Sequence, residues 1–218
     1  MKIEFIIDFP IELVLKKRYF DYQADVAIDP FINEVLVFDK FTNEQQKEKF
    51  GSDSIDNHGI DVSLNLFYFP WPLSPRIMLY STMFYYDKEN DWVYRIVKTC
   101  EHDIFPIIGD GTTYDCTTNK KGSKKNRFAY FWKGIAIIAF KKIGENSTKI
   151  SHLHFANFGG WLEKDGFFTR LMTKKRAETV YQSNVDLFSK DLTEDEEKQL
   201  KTSERGKVVM KICEEMIK

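Results

Sequence analysis

The feature that most constrains this chain is a long middle stretch in which apolar and aromatic residues recur with a period of two. Strand candidates occupy residues 61–69, 76–86, 92–101, 127–142 and 148–158. That spacing marks β-structure with one buried face. Turn residues separate the runs: Pro72 and Pro75, then Lys88-Glu89-Asn90, then Gly109 to Gly111, then Gly144 to Ser147. Successive strands with short connections predict an antiparallel meander. Ahead of it, residues 3–9 (IEFIIDF) predict a strand and Pro10 opens a helix. That helix sets Ile11, Val14, Leu15, Tyr19 and Tyr22 at helical spacing through about residue 25, and residues 33–41 return to a strand. Behind the meander, residues 162–190 take up a helical period, with Phe168, Leu171, Met172, Val180, Leu187 and Phe188 along one side. Residues 193–204 are charged, and 206–217 predict a short amphipathic helix. The order of elements is that of an α+β fold, a curved antiparallel sheet wrapped around a long C-terminal helix.

A chain of 218 residues suits one domain. We expect residues 1–190 to form it, with 191–218 a charged helical tail. Nineteen Phe, ten Tyr and four Trp supply bulky interior groups, which fill a core or line an apolar pocket. Lys plus Arg (32) balance Asp plus Glu (33), leaving a net charge of -1. No global field then favours nucleic acid, and any anionic surface must be met by a local patch. Cys100, Cys116 and Cys213 are odd in number and lack CxxC spacing, which argues against a disulfide framework and for a reducing compartment. Glu4 and Asp8 interrupt the short apolar start, so no signal-peptide pattern appears. No apolar run approaches the roughly 20 residues needed to span a bilayer. The expected location is the cytoplasm. The sequence holds no GxSxG, P-loop, HExxH or strand-linked GxGxxG, and no spacing pairs its carboxylates, so an enzyme is not expected and no cofactor is implied.

Residues 148–164, TKISHLHFANFGGWLEK, read as a strand running through a Gly160-Trp161-Leu162 corner into a helix, and Pro75-Arg76 leads into an apolar strand. These two segments resemble the last strand with its corner, and the Pro-Arg-led central strand, of the START (StAR-related lipid transfer) domain family. The order of elements over residues 2–38, with its Asp29-Pro30 break, agrees as well. The resemblance implies a helix-grip fold of the START/Bet v1 type, enclosing one lipid or sterol in a tunnel beneath a helical lid. Departures accompany it. Asn157 stands where the family often has Asp, and Glu163 where it often has Pro. Thr82 occupies the position of the tunnel Arg of sterol-binding members, which favours a phospholipid over a sterol. Members of the family usually carry an N-terminal helix and two strands ahead of the point where this sequence starts. If this chain lacks them, residues 3–9 are expected at a sheet edge open to a second chain, and the alternatives are a shortened chain or a homodimer.

Period two assigns the candidate ligand-binding residues. Phe128, Tyr130, Trp132, Ala136, Ile138 and Phe140 share one face of 127–142, opposite Lys133 and Lys141. Arg76, Met78, Tyr80, Thr82 and Phe84 share a face of 76–86, with Tyr80 and Thr82 offering hydroxyls and Arg76 an anion-binding fork or a structural ion pair. His152 and His154 lie two apart on one strand face, as polar handles or as packing; no third ligand at metal-site spacing follows. Phe168, Leu171 and Met172 complete the set from the lid helix. Lys120, Lys121, Lys124, Lys125 and Arg127 crowd one loop, and Arg170 and Lys174 to Arg176 follow on the helix. Either cluster is a solvated face or a transient contact for anionic lipid, worth about 1 kcal/mol per residue near a membrane surface. The loop has no interleaved aromatics, so nucleic acid is not an expected partner. A protein-interaction module with a collapsed interior is the alternative, and an enzyme acting in the cavity the third.

Overall fold

A computed structural model describes residues 2–20, 32–40, 61–67, 76–99, 113–115, 128–131, 133–157, 178–202 and 204–217. Nine strands form one sheet: β1 (Lys2–Ile7), β2 (Ile32–Lys40), β3 (Asp61–Phe67), β4 (Arg76–Asp87), β5 (Trp92–Thr99), β6 (Thr113–Asp115), β7 (Phe128–Phe131), β8 (Lys133–Gly144) and β9 (Ser147–Asn157). The strand order is β1-β9-β8-β5-β4-β3-β2, with β6 and β7 paired off this path. Among the described residues four helical stretches accompany the sheet: α1 (Ile11–Phe20), α2 (residues 178–188), α3 (Glu194–Thr202) and α4 (Glu204–Ile217).

The β4–β5 hairpin shows how local chemistry sets register. The Asp87 carboxylate accepts the Glu89 and Asn90 backbone N–H groups at 3.2 Å each and the Asn90 amide at 2.9 Å. Asp91 then takes φ 56°, a left-handed conformation that Asp tolerates better than most residues. From that turn Asp87 faces Trp92 and the ladder runs to Tyr80 opposite Thr99. Side chains of β5 alternate, with Val93, Arg95 and Val97 buried on the helix-covered inner face. In α1, the Pro10 carbonyl accepts the Val14 N–H, and Ile11, Val14 and Leu15 turn inward as their spacing predicts.

The run 127–142 is strand at each of its described residues, but its two parts take different partners. β7 leaves the path, runs parallel to β4 with Tyr130 opposite Arg76, and pairs antiparallel with β6. The sheet is therefore antiparallel except for this pair, and β6 was not anticipated. Alternation is a property of one segment, whereas the choice of pairing partner is not, so the pattern stays continuous across the change. Strands β5 and β8 are neighbours despite the long excursion between them, with Arg95 opposite Ile138.

The charged stretch after residue 192 is helical. Thr193 and Glu196 form a capping box: the Glu196 N–H donates to Thr193 Oγ1 at 3.2 Å, and the Thr193 N–H to Glu196 Oε2 at 2.6 Å. Glu196 also receives the buried Lys17 ammonium at 2.9 Å, which donates to the Asp191 carbonyl as well. At the α3–α4 corner a Cβ on Gly206 would stand 2.3 Å from the Leu200 carbonyl oxygen, so only glycine lets α4 start this close to α3. Leu200, Val209, Ile212, Cys213 and Met216 join Ile11, Val14, Leu15, Phe140 and Ile150 in one buried cluster. Leu200 of α3 and the buried side of α4 thus pack into the interior alongside α1.

Candidate functional site

Pairing registers resolve the inner face into rows. The first runs Tyr86–Val93–Phe140–Ile150–Phe5, the second Phe84–Arg95–Ile138–His152–Ile3, the third Thr82–Val97–Ala136–His154. Beyond the third, Tyr80 faces Thr99. The first row belongs to or packs against the hydrophobic cluster that α1 and α4 complete. In the second row, Phe84 and Ile138 belong to that cluster, and Arg95 and His152 alternate with them. The third row and Tyr80 lie outside it, yet Tyr80, Thr82, Val97 and Ala136 are buried. The inner face therefore has a packed apolar end and a second end, with buried polar groups where the two meet.

Helix α2 covers the β1–β9 side. Tyr181 meets Phe5 edge-on at 5.5 Å between centroids, and Phe188 meets Phe9 at 6.1 Å. Val180, Asn184 and Phe188, one helical turn apart, are buried. His152 lies 5.9 Å from Phe5 and 5.9 Å from His154, with the two imidazoles stacked 17° from parallel. Thr82 and Asn184 are 0% exposed, and Arg95 and His152 are 4% exposed. Asn184 Nδ2 donates to the Val180 carbonyl at 2.6 Å. Thr82 Oγ1 and Asn184 Oδ1 have no hydrogen-bond partner among the described residues. A buried polar atom left so costs about 1–3 kcal/mol, and native proteins usually meet the cost with water or a ligand.

Of the residues singled out in the sequence, Tyr80, Thr82, Phe84, Ile138, His152 and His154 share the inner face, Phe84 and Ile138 within the packed cluster. Arg76 and Met78 sit at the start of β4, and Tyr130 on β7 opposite Arg76. Trp132, Phe168, Leu171, Met172, the Gly160-Trp161-Leu162 corner and both basic clusters lie outside the described residues. Sequence reasoning missed Arg95 and Asn184. Arg95 was findable, since it falls in phase with Val93 and Val97, where a solvent-facing strand position would break phase. No helix among the described residues is long and apolar enough to cross a membrane.

A curved sheet closed on one face by helices defines the helix-grip class. The solved structures it resembles are StAR-related lipid transfer domains. Human STARD10 superposes with a TM-score of 0.61 at 14% identity, over 92% of this chain and 66% of that one. Human StAR-related lipid transfer protein 5 gives 0.60 at 12% identity, over 85% and 73%. The lipid transfer and protein localization domain of human StarD13 gives 0.56 at 9%, over 88% and 77%. The chain spans just under two thirds of the STARD10 chain. No family model matches the sequence, and no curated protein matches it. At these identities the likeness establishes the fold.

Proposed function

We propose that this protein binds one lipid between the inner face of its sheet and the helices over it, and carries it between membranes. The carrying observation is the second end of the inner face. Among the described residues, Tyr80, Thr82, Val97 and Ala136 are buried there without joining the packed cluster, and Thr82 Oγ1 lacks a partner. An amphiphile suits such a place: its chain covers apolar walls at about 0.8 kcal/mol per CH₂, and its head meets the polar groups. The fold shared with lipid transfer domains supports the same reading. A phospholipid fits better than a sterol, because Thr82 stands at the position of the tunnel Arg of sterol-binding members of the resembled family. The reading carries with it a cytoplasmic location and brief contact with anionic membranes through Lys120, Lys121, Lys124, Lys125 and Arg127.

The test has two parts. Native mass spectrometry of purified protein, followed by lipid extraction, should find about one lipid per chain. Ala136→Trp should abolish lipid uptake from phosphatidylcholine liposomes while leaving the melting temperature within a few degrees. If that end is instead filled by protein, the same substitution overpacks it and costs about 1–3 kcal/mol. A clean, lipid-free chain that Ala136→Trp unfolds would sink the proposal.

A second reading rests on the sheet edge. Strand β1 ends the strand order, paired with β9 alone among the described residues, and its Ile6 is 54% exposed. Edge pairing with another chain, a second copy included, would use it. Light scattering of wild type and Ile6→Lys separates the two cases, since only an edge-paired dimer is dissociated by the substitution.

A further inference from the structure

We propose that the outer face of the sheet is a docking surface for an acidic amphipathic helix of a partner protein. That face lies across the strands from the proposed lipid, so the inference stands independently of the lipid-binding reading.

The inner face is covered from within the chain. Among the described residues, α1 and α4 join the cluster built on it, and Tyr181 of α2 meets Phe5 there. Yet the strands are apolar on the other side too. Residues 134–140 of β8 read GIAIIAF, apolar at odd and even positions alike. An antiparallel strand with one face in water alternates, whereas a run apolar on both faces marks a strand covered on both. Pairing extends the outer positions of β8 into a row: Met83–Ile96–Ile137–Leu153 crosses β4, β5, β8 and β9 without a charge. All four are only half-buried. On one side of this row Tyr94 stacks between Tyr85 and Trp92, at 6.3 and 6.2 Å between centroids. On the other side stands Phe155, exposed like Tyr85.

Charge selects the partner. The outer rows carry Lys2, Lys98, Lys141 and Lys149 against Glu4 and Asp87. Glu4 is held by Lys2 at 3.1 Å and by Lys149 at 3.4 Å, and Asp87 closes the β4–β5 turn. Lys141 sits 5.4 Å over the Trp92 ring at one flank of the apolar rows, and the exposed Lys98 lies at the other. The face is thus positive on a chain whose net charge is -1, and its lysines rim an apolar centre. An acidic partner complements both features. A second copy does not, because two identical faces would set lysine against lysine.

Size and backbone pairing select a helix. Four strands about 4.8 Å apart and three same-face rows about 6.8 Å apart enclose roughly 400 Å². A stable interface between folded proteins takes about 800 Å² from each partner. The patch supplies about half of that, the footprint of a single helix, and its span of roughly 19 Å matches about 13 helical residues. Strands β4, β5, β8 and β9 are each paired on both sides. An extended peptide therefore finds no free backbone here, whereas a helix satisfies its own and needs only side chains to dock.

Two synthetic helices of about 14 residues isolate the chemistry. Both carry one Leu stripe at helical spacing, flanked in one peptide by Glu and in the other by Lys. Fluorescence anisotropy with the full chain should show the Glu peptide binding at least about tenfold tighter, a difference that fades at high salt. Ile137→Thr with Leu153→Thr should abolish that binding and leave lipid uptake from phosphatidylcholine liposomes unchanged. Lys98→Glu with Lys141→Glu should reverse the preference toward the Lys peptide, which keeps the test open if the first pair fails to fold. Equal binding of the two peptides, or none by the Glu peptide, overturns the proposal. Light scattering that finds a dimer dissociated by Ile137→Thr with Leu153→Thr overturns it in favour of a second copy. Sedimentation with vesicles of about 30% phosphatidylserine, lost in the same variants while neither peptide binds, overturns it in favour of a membrane. None of these results touches the lipid-binding reading.

Discussion

At the residue scale the decisive groups are a few polar side chains on an otherwise apolar surface. Thr82 is the sharpest case, fully buried with its hydroxyl lacking a partner among the described residues. Thr82→Val keeps the shape and removes the oxygen. If the hydroxyl serves a ligand, this variant should raise the stability of the ligand-free protein by about 1 kcal/mol, read as a higher urea midpoint. A structural hydroxyl would give the opposite sign. Burial of Thr82 and Tyr80 was legible in the sequence, because a period of two assigns faces without knowledge of neighbours. Their neighbours were not legible. That Arg95 stands across from Ile138, and so shares a row with His152, depends on the register of β5 against β8, strands far apart in the chain.

At the element scale, α3 shows how a charged stretch is fixed to a core. Burial raises the Glu196 carboxyl's pKa, but the Thr193 N–H and the Lys17 ammonium outweigh it and hold the group below the usual carboxylate range. A carboxylate with a depressed folded pKa contributes stability above its unfolded value, about 4.3, and loses it as pH falls through the folded one. Glu196→Gln retains the capping hydrogen bond and removes the charge. It should cost about 1–3 kcal/mol at pH 7 and progressively less below about pH 4, measured by denaturant titration across pH. A cost that does not change with pH would show that the Lys17 pair is not its source. A charged helical tail was expected here and the Thr193-x-x-Glu196 pattern was present in the sequence, but charge density concealed the packing of this helix, whose apolar contribution is one buried residue, Leu200. The opposite error occurred at 127–142, where an unbroken alternation concealed a change of partner between β7 and β8.

At the scale of the whole molecule, the question is what closes the packed end of the sheet. Helices α1 and α4 do so, with Ile11, Val14 and Leu15 meeting Val209, Ile212 and Met216 in the cluster that reaches Phe140 and Ile150. Lys88 reaches Glu215 at 2.9 Å, tying α4 to the β4–β5 turn. Tyr86 nearby is pushed up to about 12 by burial, its bond to Asp91 and the charges of Asp91 and Glu215. Cooperative unfolding follows from one contiguous cluster. We expect a single calorimetric transition, and a chain cut after Lys190 should lose it and bind a hydrophobic dye. Two separate transitions, or a shortened chain that melts unchanged, would show that residues 191–218 fold as an independent tail.

The sequence by itself determined most of the described strands and helices and which side of each is apolar, because both follow from local periodicity and from caps and turns a few residues long. It also carried the fold class, through the order of its elements and two motif-bearing segments. The tertiary structure alone decided that β7 leaves the path for β4, that the last two helices close the core with α1, and that Arg95 and His152 fall in one row of the sheet. Those are relations between residues from about 50 to 200 positions apart, set by which apolar faces bury one another most completely, and no local pattern encodes them.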